Sequence, residues 1–240
     1  MQSSFNSVSI IVPALNEEKS VESTVKEILE TFKNHSIDGE IILIDDGSTD
    51  KTGNIADNLG KTEKNVTVIH HSKPMGLGSC FREGTQKATK KAVAWLPGDG
   101  ENEPYEIIKY LSILEHTDIA NPYVINFNER PLSRRILSKT YLFIVNTAFG
   151  TSFHYTNGNV LYKTEIFKKI QNISNGFFYQ TECLTKAVKA GFTYAEVPVL
   201  LKKRTHGKSK ATSLKSAVRV AREFLRVFFQ IHFRKESKTL

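Results

Sequence analysis

From residue 8 to residue 108 the chain alternates short apolar runs with amphipathic segments, an order that few folds accommodate. Residues 8–14 are β-branched and apolar, as a buried strand requires. Asn16, Glu17 and Glu18 stand where a following helix takes its cap and the acidic residues of its first turn. Val21, Val25, Ile28, Leu29 and Phe32 then recur at helical spacing. The cycle repeats with a strand at 40–44, a helix from Ser48-Thr49-Asp50 toward Leu59, a strand at 66–70, and a Gly76-Leu77-Gly78 turn leading into a helix through Ala88. A strand at 92–96 precedes a helix opened by Pro104, where proline suits the first turn. This β-α-β-α-β-α-β order predicts an α/β fold with a doubly wound, mostly parallel sheet.

Two acidic clusters fall where strands run out, Asp45-Asp46-Gly47-Ser48 and Asp99-Gly100-Glu101-Asn102-Glu103. Open sheets of this kind bind ligands at the carboxyl ends of their strands, where loops from distant parts of the chain converge. Carboxylates crowded there repel one another unless a cation lies between them. The clusters therefore point to one site for a nucleotide and a divalent metal, with Asp99, Glu101 and Glu103 alternating along an extended loop so as to address one side of it. Each cluster alone also has a plainer reading. Asp-Gly sequences punctuate turns, and an acidic loop before Pro104 can cap a helix.

The remainder is less regular: strands at 119–125, 158–162 and 194–200, helices at 132–149, 165–170 and 180–190, and Gly191 as a helix stop. A chain of 240 residues can bury one sizeable core, so one domain at 1–212 with a tail at 213–240 is expected. Charge is distributed unevenly. From residue 202 onward twelve Lys or Arg face Glu223 and Glu236, a net +10, which leaves −2 for everything before it out of the total of +8. Within 213–233, Lys215, Arg219, Arg222 and Arg226 fall on one helical face, and Val218, Ala221, Phe224, Leu225, Phe228 and Ile231 on the other. That is a basic amphipathic helix suited to an anionic membrane surface or to packing on the body. Nucleic acid is the other anionic surface such an arm can meet. Cys80 and Cys183 form no CxxC pair, and the seven histidines show no metal-ligand spacing, so His70, His71 and His206 are assigned to surface or packing roles. The polar opening residues lack the order of a secretion signal, and no apolar run nears the roughly 20 residues of a spanning helix. The expected location is cytoplasmic, peripheral at the membrane.

The turn after the first strand reads Pro13-Ala14-Leu15-Asn16-Glu17-Glu18 and lacks the Gly-x-Gly-x-x-Gly of dinucleotide-binding units; no P-loop occurs either. The chain instead resembles the family 2 glycosyltransferases of GT-A fold, a Rossmann-like nucleotide-diphospho-sugar transferase architecture, and among them the polyprenyl-phosphate sugar transferases such as dolichol-phosphate mannose synthases. The resemblance runs from about Val8 to Lys210. It rests on residues 11–18, on Ile44-Asp45-Asp46-Gly47-Ser48-Thr49-Asp50, on Gly76-Leu77-Gly78 with Gly84, on the acidic loop ending at Pro104, on Glu196-Val197-Pro198-Val199, and on Arg204-Thr205-His206-Gly207-Lys208-Ser209-Lys210. Two positions depart from the family pattern: Glu101 replaces the second aspartate of the metal motif, and Lys73-Pro74-Met75 stands where an asparagine commonly precedes the glycines.

The resemblance implies roles by position. Pro13, Asn16, Glu17 and Gly76 line the nucleotide pocket, Asp45 and Asp46 contact base or ribose, and Asp99, Glu101 and Glu103 hold Mg²⁺ or Mn²⁺. Arg204, Ser209 and Lys210 close over the donor diphosphate. The implied reaction is an inverting transfer from a GDP- or UDP-sugar to a polyprenyl phosphate, whose anionic oxygen needs no strong base. A saccharide hydroxyl acceptor would need one, for which Glu182 is the candidate. Arg130, Arg134 and Arg135 are candidates for an acceptor phosphate, because guanidinium forks match its oxygens. Two other functions remain open at this stage, transfer to a growing glycan and non-enzymatic nucleic-acid binding by the tail. With an enzyme expected, nucleic acid is not an expected partner.

Overall fold

The structure, a computed structural model, describes residues 5–126, 132–170, 173–200 and 214–233. Seven strands form a single sheet in the order β3-β2-β1-β4-β6-β5-β7. They are β1 (Ser7–Ala14), β2 (Asp38–Asp45), β3 (Val66–His70), β4 (Ala92–Trp95), β5 (Ile119–Val124), β6 (Leu161–Lys163) and β7 (Tyr194–Val199). β6 runs antiparallel to both of its neighbours, and every other pairing is parallel. The expected strand at 158–162 is thus shorter and shifted to Leu161–Lys163, and it supplies the one reversed strand among the described residues.

Every residue of β1 is buried, which explains its uninterrupted apolar run: a strand with helices on both sheet faces has no solvent side. Its side chains divide by parity. Val8, Ile10, Val12 and Ala14 pack with α1 (Val21–Asn34), α2 (Thr52–Thr62) and α4 (Pro104–Ile108). Ile11 packs on the opposite face with α3 (Leu77–Lys87) and α6 (Tyr179–Lys189). A third cluster joins α5 (Leu132–Phe149) to α7 (Leu214–Phe233) through Val145, Phe149, Phe178 and Val227, with Phe224 and Phe228 against them. The amphipathic tail helix is therefore packed on the body along its Val220, Phe224, Val227, Phe228 and Ile231 side. Val218, Leu225, Phe229 and Phe233 remain exposed on the same helix, which is apolar on two sides rather than one. Exposed residues on α5 include Leu132, Ile136 and Phe143.

Candidate active site

Strand order reverses beside β1: the chain first winds outward to β2 and β3, then crosses back to β4. That switch leaves a crevice at the carboxyl edge of the sheet, the place where open α/β folds take their ligands. Both acidic clusters lie there. Ala14 is in register with Asp45, and the Asp46 N–H donates to the Ala14 carbonyl at 2.8 Å. On the other flank the Gly98 N–H donates to the carbonyl of buried Pro13 at 3.0 Å, and the Ser20 hydroxyl donates to the Gly98 carbonyl at 2.9 Å. Pro13 thus sits between the two acidic segments, and a side chain at Gly98 would press on Ala14 at 3.3 Å.

The turn after β1 is laced to the turn after β2. Asn16 adopts φ 58°, a left-handed conformation that asparagine tolerates, and its Oδ1 accepts from the Thr49 N–H at 2.8 Å. The Asn16 N–H donates to the Ser48 hydroxyl at 3.0 Å and the Glu17 N–H to the Thr52 hydroxyl at 2.8 Å. Asn16 is therefore an exposed residue at the rim whose side chain holds two loops together.

Asp45 and Asp46 are buried, and each carboxylate is occupied by protein donors. Asp45 accepts from the Ser48 N–H at 3.0 Å and meets His70 Nδ1 at 3.0 Å; His70 Nε2 lies 3.0 Å from Asp57. Asp46 accepts from the N–H groups of Met75 at 2.7 Å and Gly76 at 2.9 Å and meets His71 Nδ1 at 2.6 Å, while His71 Nε2 lies 2.8 Å from Glu83. The hydrogen bond to Asp45, joined by that to Asp57, raises the His70 pKa. Burial opposes the charged form of His71, yet its bonds to Asp46 and Glu83 outweigh burial and raise it as well. Burial likewise opposes the charged form of Asp45, and the bonds from Ser48 and His70 prevail and lower its pKa. The surface or packing role expected for His70 and His71 is incomplete: His70 is exposed and His71 is not, and each is the hydrogen-bond partner of one of the two aspartates, with a raised pKa that favours the cation there. Parallel pairing of β2 and β3 sets Asp45 opposite His70, a registration invisible to metal-ligand spacing.

Gly76 and Gly78 prove structurally exacting. Gly76 lies at φ 96° ahead of α3, and a Cβ there would meet the Asn175 carbonyl oxygen at 2.6 Å. A Cβ on Gly78 would lie 1.8 Å from the Ser174 carbonyl oxygen. The Asp46-bound turn is thus seated directly on the backbone of residues 174–175.

In the second acidic loop the Asp99 Oδ1 accepts from the Glu101 N–H at 3.0 Å, and Gly100 takes φ 72°. Glu103 occupies the N-cap position of α4. Among the described residues, the one group of three His, Cys, Asp or Glu ligand atoms within 4.8 Å of each other is Asp46, His71 and Cys80. Asp99, Glu101 and Glu103 do not form such a group. The Asp46 group is a poor home for Mg²⁺ or Mn²⁺: its nitrogen and sulfur atoms are softer than those ions prefer, and burial together with Asp46 pushes the Cys80 thiol well up. Asp99 and Glu101, with hard carboxylate oxygens at the switch point, are the donor set whose chemistry fits such an ion.

Glu182 is the second correction. It lies on α6 with 0% exposure, 2.8 Å from Lys186 Nζ and 3.1 Å from Arg226 Nη2, and accepts from the Ser174 N–H at 2.8 Å and from the Ser174 hydroxyl. A carboxylate so enclosed is the anion of a buried network and has no side open to an acceptor. Arg135 is half-buried on α5, and its Nε is buried without a hydrogen-bond partner among the described residues. Arg130, Arg204, Ser209 and Lys210, and the Arg134 side chain, lie outside the described residues.

The reversing α/β sheet, with acidic loops at its switch point, matches solved structures of the GT-A class of fold. The structure of glucosyl-3-phosphoglycerate synthase from Mycobacterium tuberculosis in complex with Mn²⁺, UDP and glucosyl-3-phosphoglycerate shares this fold. It matches with a TM-score of 0.69 at 18% identity, covering 97% of this chain and 82% of that one. Residues 9–171 match the model of glycosyl transferase family 2, and the chain belongs to that family. Polyprenol monophosphomannose synthase of Mycolicibacterium smegmatis is 28% identical over 215 residues, 84% of this chain and 79% of that protein. Dodecaprenyl-phosphate galacturonate synthase of Rhizobium johnstonii is 25% identical over 231 residues, 95% of this chain and 68% of that protein. The chain is a glycosyltransferase that uses a nucleotide sugar.

Proposed function

We propose that this enzyme moves a sugar, with inversion and with Mg²⁺ or Mn²⁺ as cofactor, from a GDP- or UDP-sugar to a polyprenyl phosphate at the cytoplasmic face of a membrane. The observation that carries the reading is the juxtaposition at the β1–β4 switch point of a closed nucleotide-side rim, built on Asp45 and Asp46, with the Asp99 loop. Relatives named for polyprenyl-phosphate products support the lipid acceptor. Asp99 and Glu101 would hold the metal, which when bound neutralises charge gathering on the departing diphosphate. Pro13, Asn16, Glu17 and the Gly76 turn shape the pocket for the nucleotide. The enclosure of Glu182 fits an acceptor that is already anionic and needs no base. The Nε of Arg135, buried and without a hydrogen-bond partner among the described residues, supports that residue for an acceptor phosphate.

Among the described residues no helix is long and apolar enough to cross a membrane. The exposed Val218, Leu225, Phe229 and Phe233 of α7, flanked by Arg219 and Arg222, suit an arm lying at an anionic bilayer surface, appended to a catalytic body ending near residue 212. The test is a labelled sugar nucleotide supplied with Mn²⁺ and undecaprenyl phosphate. Label should move into the organic-extractable fraction. Transfer to a saccharide or to 3-phosphoglycerate with no lipid product would overturn the acceptor assignment.

A further inference from the structure

We infer that Arg226 is a positioning residue that couples the docking of the C-terminal helix to the shape of the donor pocket some 150 residues earlier in the chain. The inference rests on the reading of that pocket as the nucleotide site, and it adds the tail to the machinery that builds it.

The path is a chain of direct contacts. Arg226 reaches in from α7 and donates through Nη2 to the Ser174 hydroxyl at 2.6 Å and to both Glu182 oxygens at 3.1 Å. Ser174 is 2% exposed, and its own N–H and hydroxyl are both spent on Glu182, so Arg226 fixes the backbone at 174 through the buried carboxylate. The next link is backbone on backbone. The Gly78 N–H donates to the Asn175 carbonyl at 3.0 Å, and Arg82 on α3 donates to the Ile173 carbonyl at 3.1 Å and to Asn175 Oδ1 at 2.8 Å. Glycine is required at 76 and 78 because the carbonyls of 174 and 175 lie against them, so a shift of that segment is transmitted without slack. The last link is Asp46, which grips the N–H groups of Met75 and Gly76. A displacement of α7 would therefore be passed along these contacts to the turn that Asp46 holds.

The geometry does not require Arg226 for folding of the sheet. Its side chain is 43% exposed, and Lys186, 3% exposed, already neutralises Glu182 at 2.8 Å. What Arg226 adds is a tie between helices. Because linkage is reciprocal, nucleotide binding at the rim should in turn hold α7 against the body.

The test compares the full chain with Arg226→Ala, Arg226→Lys, Ser174→Ala and the control Gln230→Ala on the same helix. UDP binding is measured by calorimetry with Mn²⁺, at a temperature where every variant is folded, and amide hydrogen exchange is measured without nucleotide. Arg226→Ala should weaken UDP binding about tenfold, within the usual range for coupled sites, and should speed exchange at residues 75–80 and 173–178. Arg226→Lys should recover most of both effects, Ser174→Ala should show a smaller loss of the same pattern, and Gln230→Ala should match wild type. Bound UDP should slow exchange in α7 of the wild type and not of Arg226→Ala. Wild-type UDP affinity in Arg226→Ala, with unchanged exchange at 75–80 despite faster exchange in α7, would overturn the coupling. If the wild type itself fails to bind UDP or GDP, the nucleotide reading falls. The exchange at 75–80 still decides whether the tail controls that turn, and should Arg226→Ala not fold, Ser174→Ala decides it in the same way.

Discussion

Replacing Glu182 by glutamine separates a buried anchor from a catalytic base, because the two roles predict opposite outcomes. The carboxylate is fully enclosed and faces Lys186, which is itself 3% exposed, as well as Arg226 and Ser174. Glutamine retains the shape but removes the charge that faces buried Lys186 and Arg226. Breaking one side of such a pair costs about 3–5 kcal/mol. In a protein of this size each kcal/mol lowers the melting temperature by about 2–4 °C, so the expected drop is on the order of 6–20 °C. A catalytic base, in contrast, would lose about 10²–10⁴ in rate with little change in melting. Thermal unfolding followed by circular dichroism, paired with kcat measured well below the transition, reads both quantities. A Glu182→Gln protein that melts with the wild type and has lost a hundredfold or more in kcat would refute the anchor.

Gly78→Ala should be among the most damaging small substitutions, since the new Cβ would meet the Ser174 carbonyl oxygen at 1.8 Å; urea titration should show a loss of about 3 kcal/mol, and a near-neutral result would mean that residues 174–175 yield easily. Asp99→Asn should abolish the metal-dependent part of the UDP-induced rise in melting temperature, a gain worth about 2.7 kcal/mol in wild type at one hundred times Kd; an undiminished shift would remove Asp99 from the metal site. The histidine pairs set a pH window. Both histidine pKa values are raised, so their stabilisation is complete below the ordinary histidine value of 6.5 and fades as pH climbs through the raised folded-state values, while Asp45, held low, loses its contribution only on acidification below its ordinary 3.8. Denaturant unfolding should therefore show stability declining above pH 6.5 in wild type, and a slope that persists unchanged in a His70→Asn, His71→Asn double variant would dismiss these pairs as its source. Finally, Phe229→Ser with Phe233→Ser should weaken co-sedimentation with phosphatidylglycerol vesicles several-fold, and full retention would show that the exposed side of α7 faces something other than lipid.

How far the sequence could be read depended on the range of the interactions involved. The alternating first hundred residues are legible because strand burial and helix periodicity are local: β1 through β4 fall within two residues of expectation, whereas α1 begins at Val21 behind Ser20 rather than behind Asn16, and α2 spans Thr52–Thr62, because Asn16 is used to tie the two turns together. The strand-end position of Asp45, Asp46 and Asp99 followed from the same pattern. Glu182 was misread because its environment is assembled from Ser174, Lys186 and Arg226, and only Lys186, one helical turn on, leaves a local trace. Glu103 was grouped with the metal carboxylates because alternation along a loop says nothing about where α4 begins. The tail helix showed its amphipathic character, but the sequence did not reveal that Phe224 and Phe228 would be spent on Phe149 and Phe178 while Leu225 and Phe229 stay outside.

The histidines change the electrostatics of the site most. Crowded carboxylates at a strand edge demand positive charge, and the sequence alone assigned that demand to a metal. In the folded protein His70 and His71 meet it for Asp45 and Asp46, at 3.0 and 2.6 Å and with raised pKa values. The two halves of the rim are thereby set apart. On the β2 side each aspartate is held by a histidine and by backbone amides, which orients its carboxylate within the rim and offsets part of its charge when the imidazole is protonated. The β4 side carries Asp99 and Glu101, whose hard carboxylate oxygens at the switch point suit an added cation. Were His70 and His71 replaced together by asparagine, the uncompensated charge would return to the β2 side, and UDP binding should weaken most at low ionic strength, where repulsion of its phosphates is least screened.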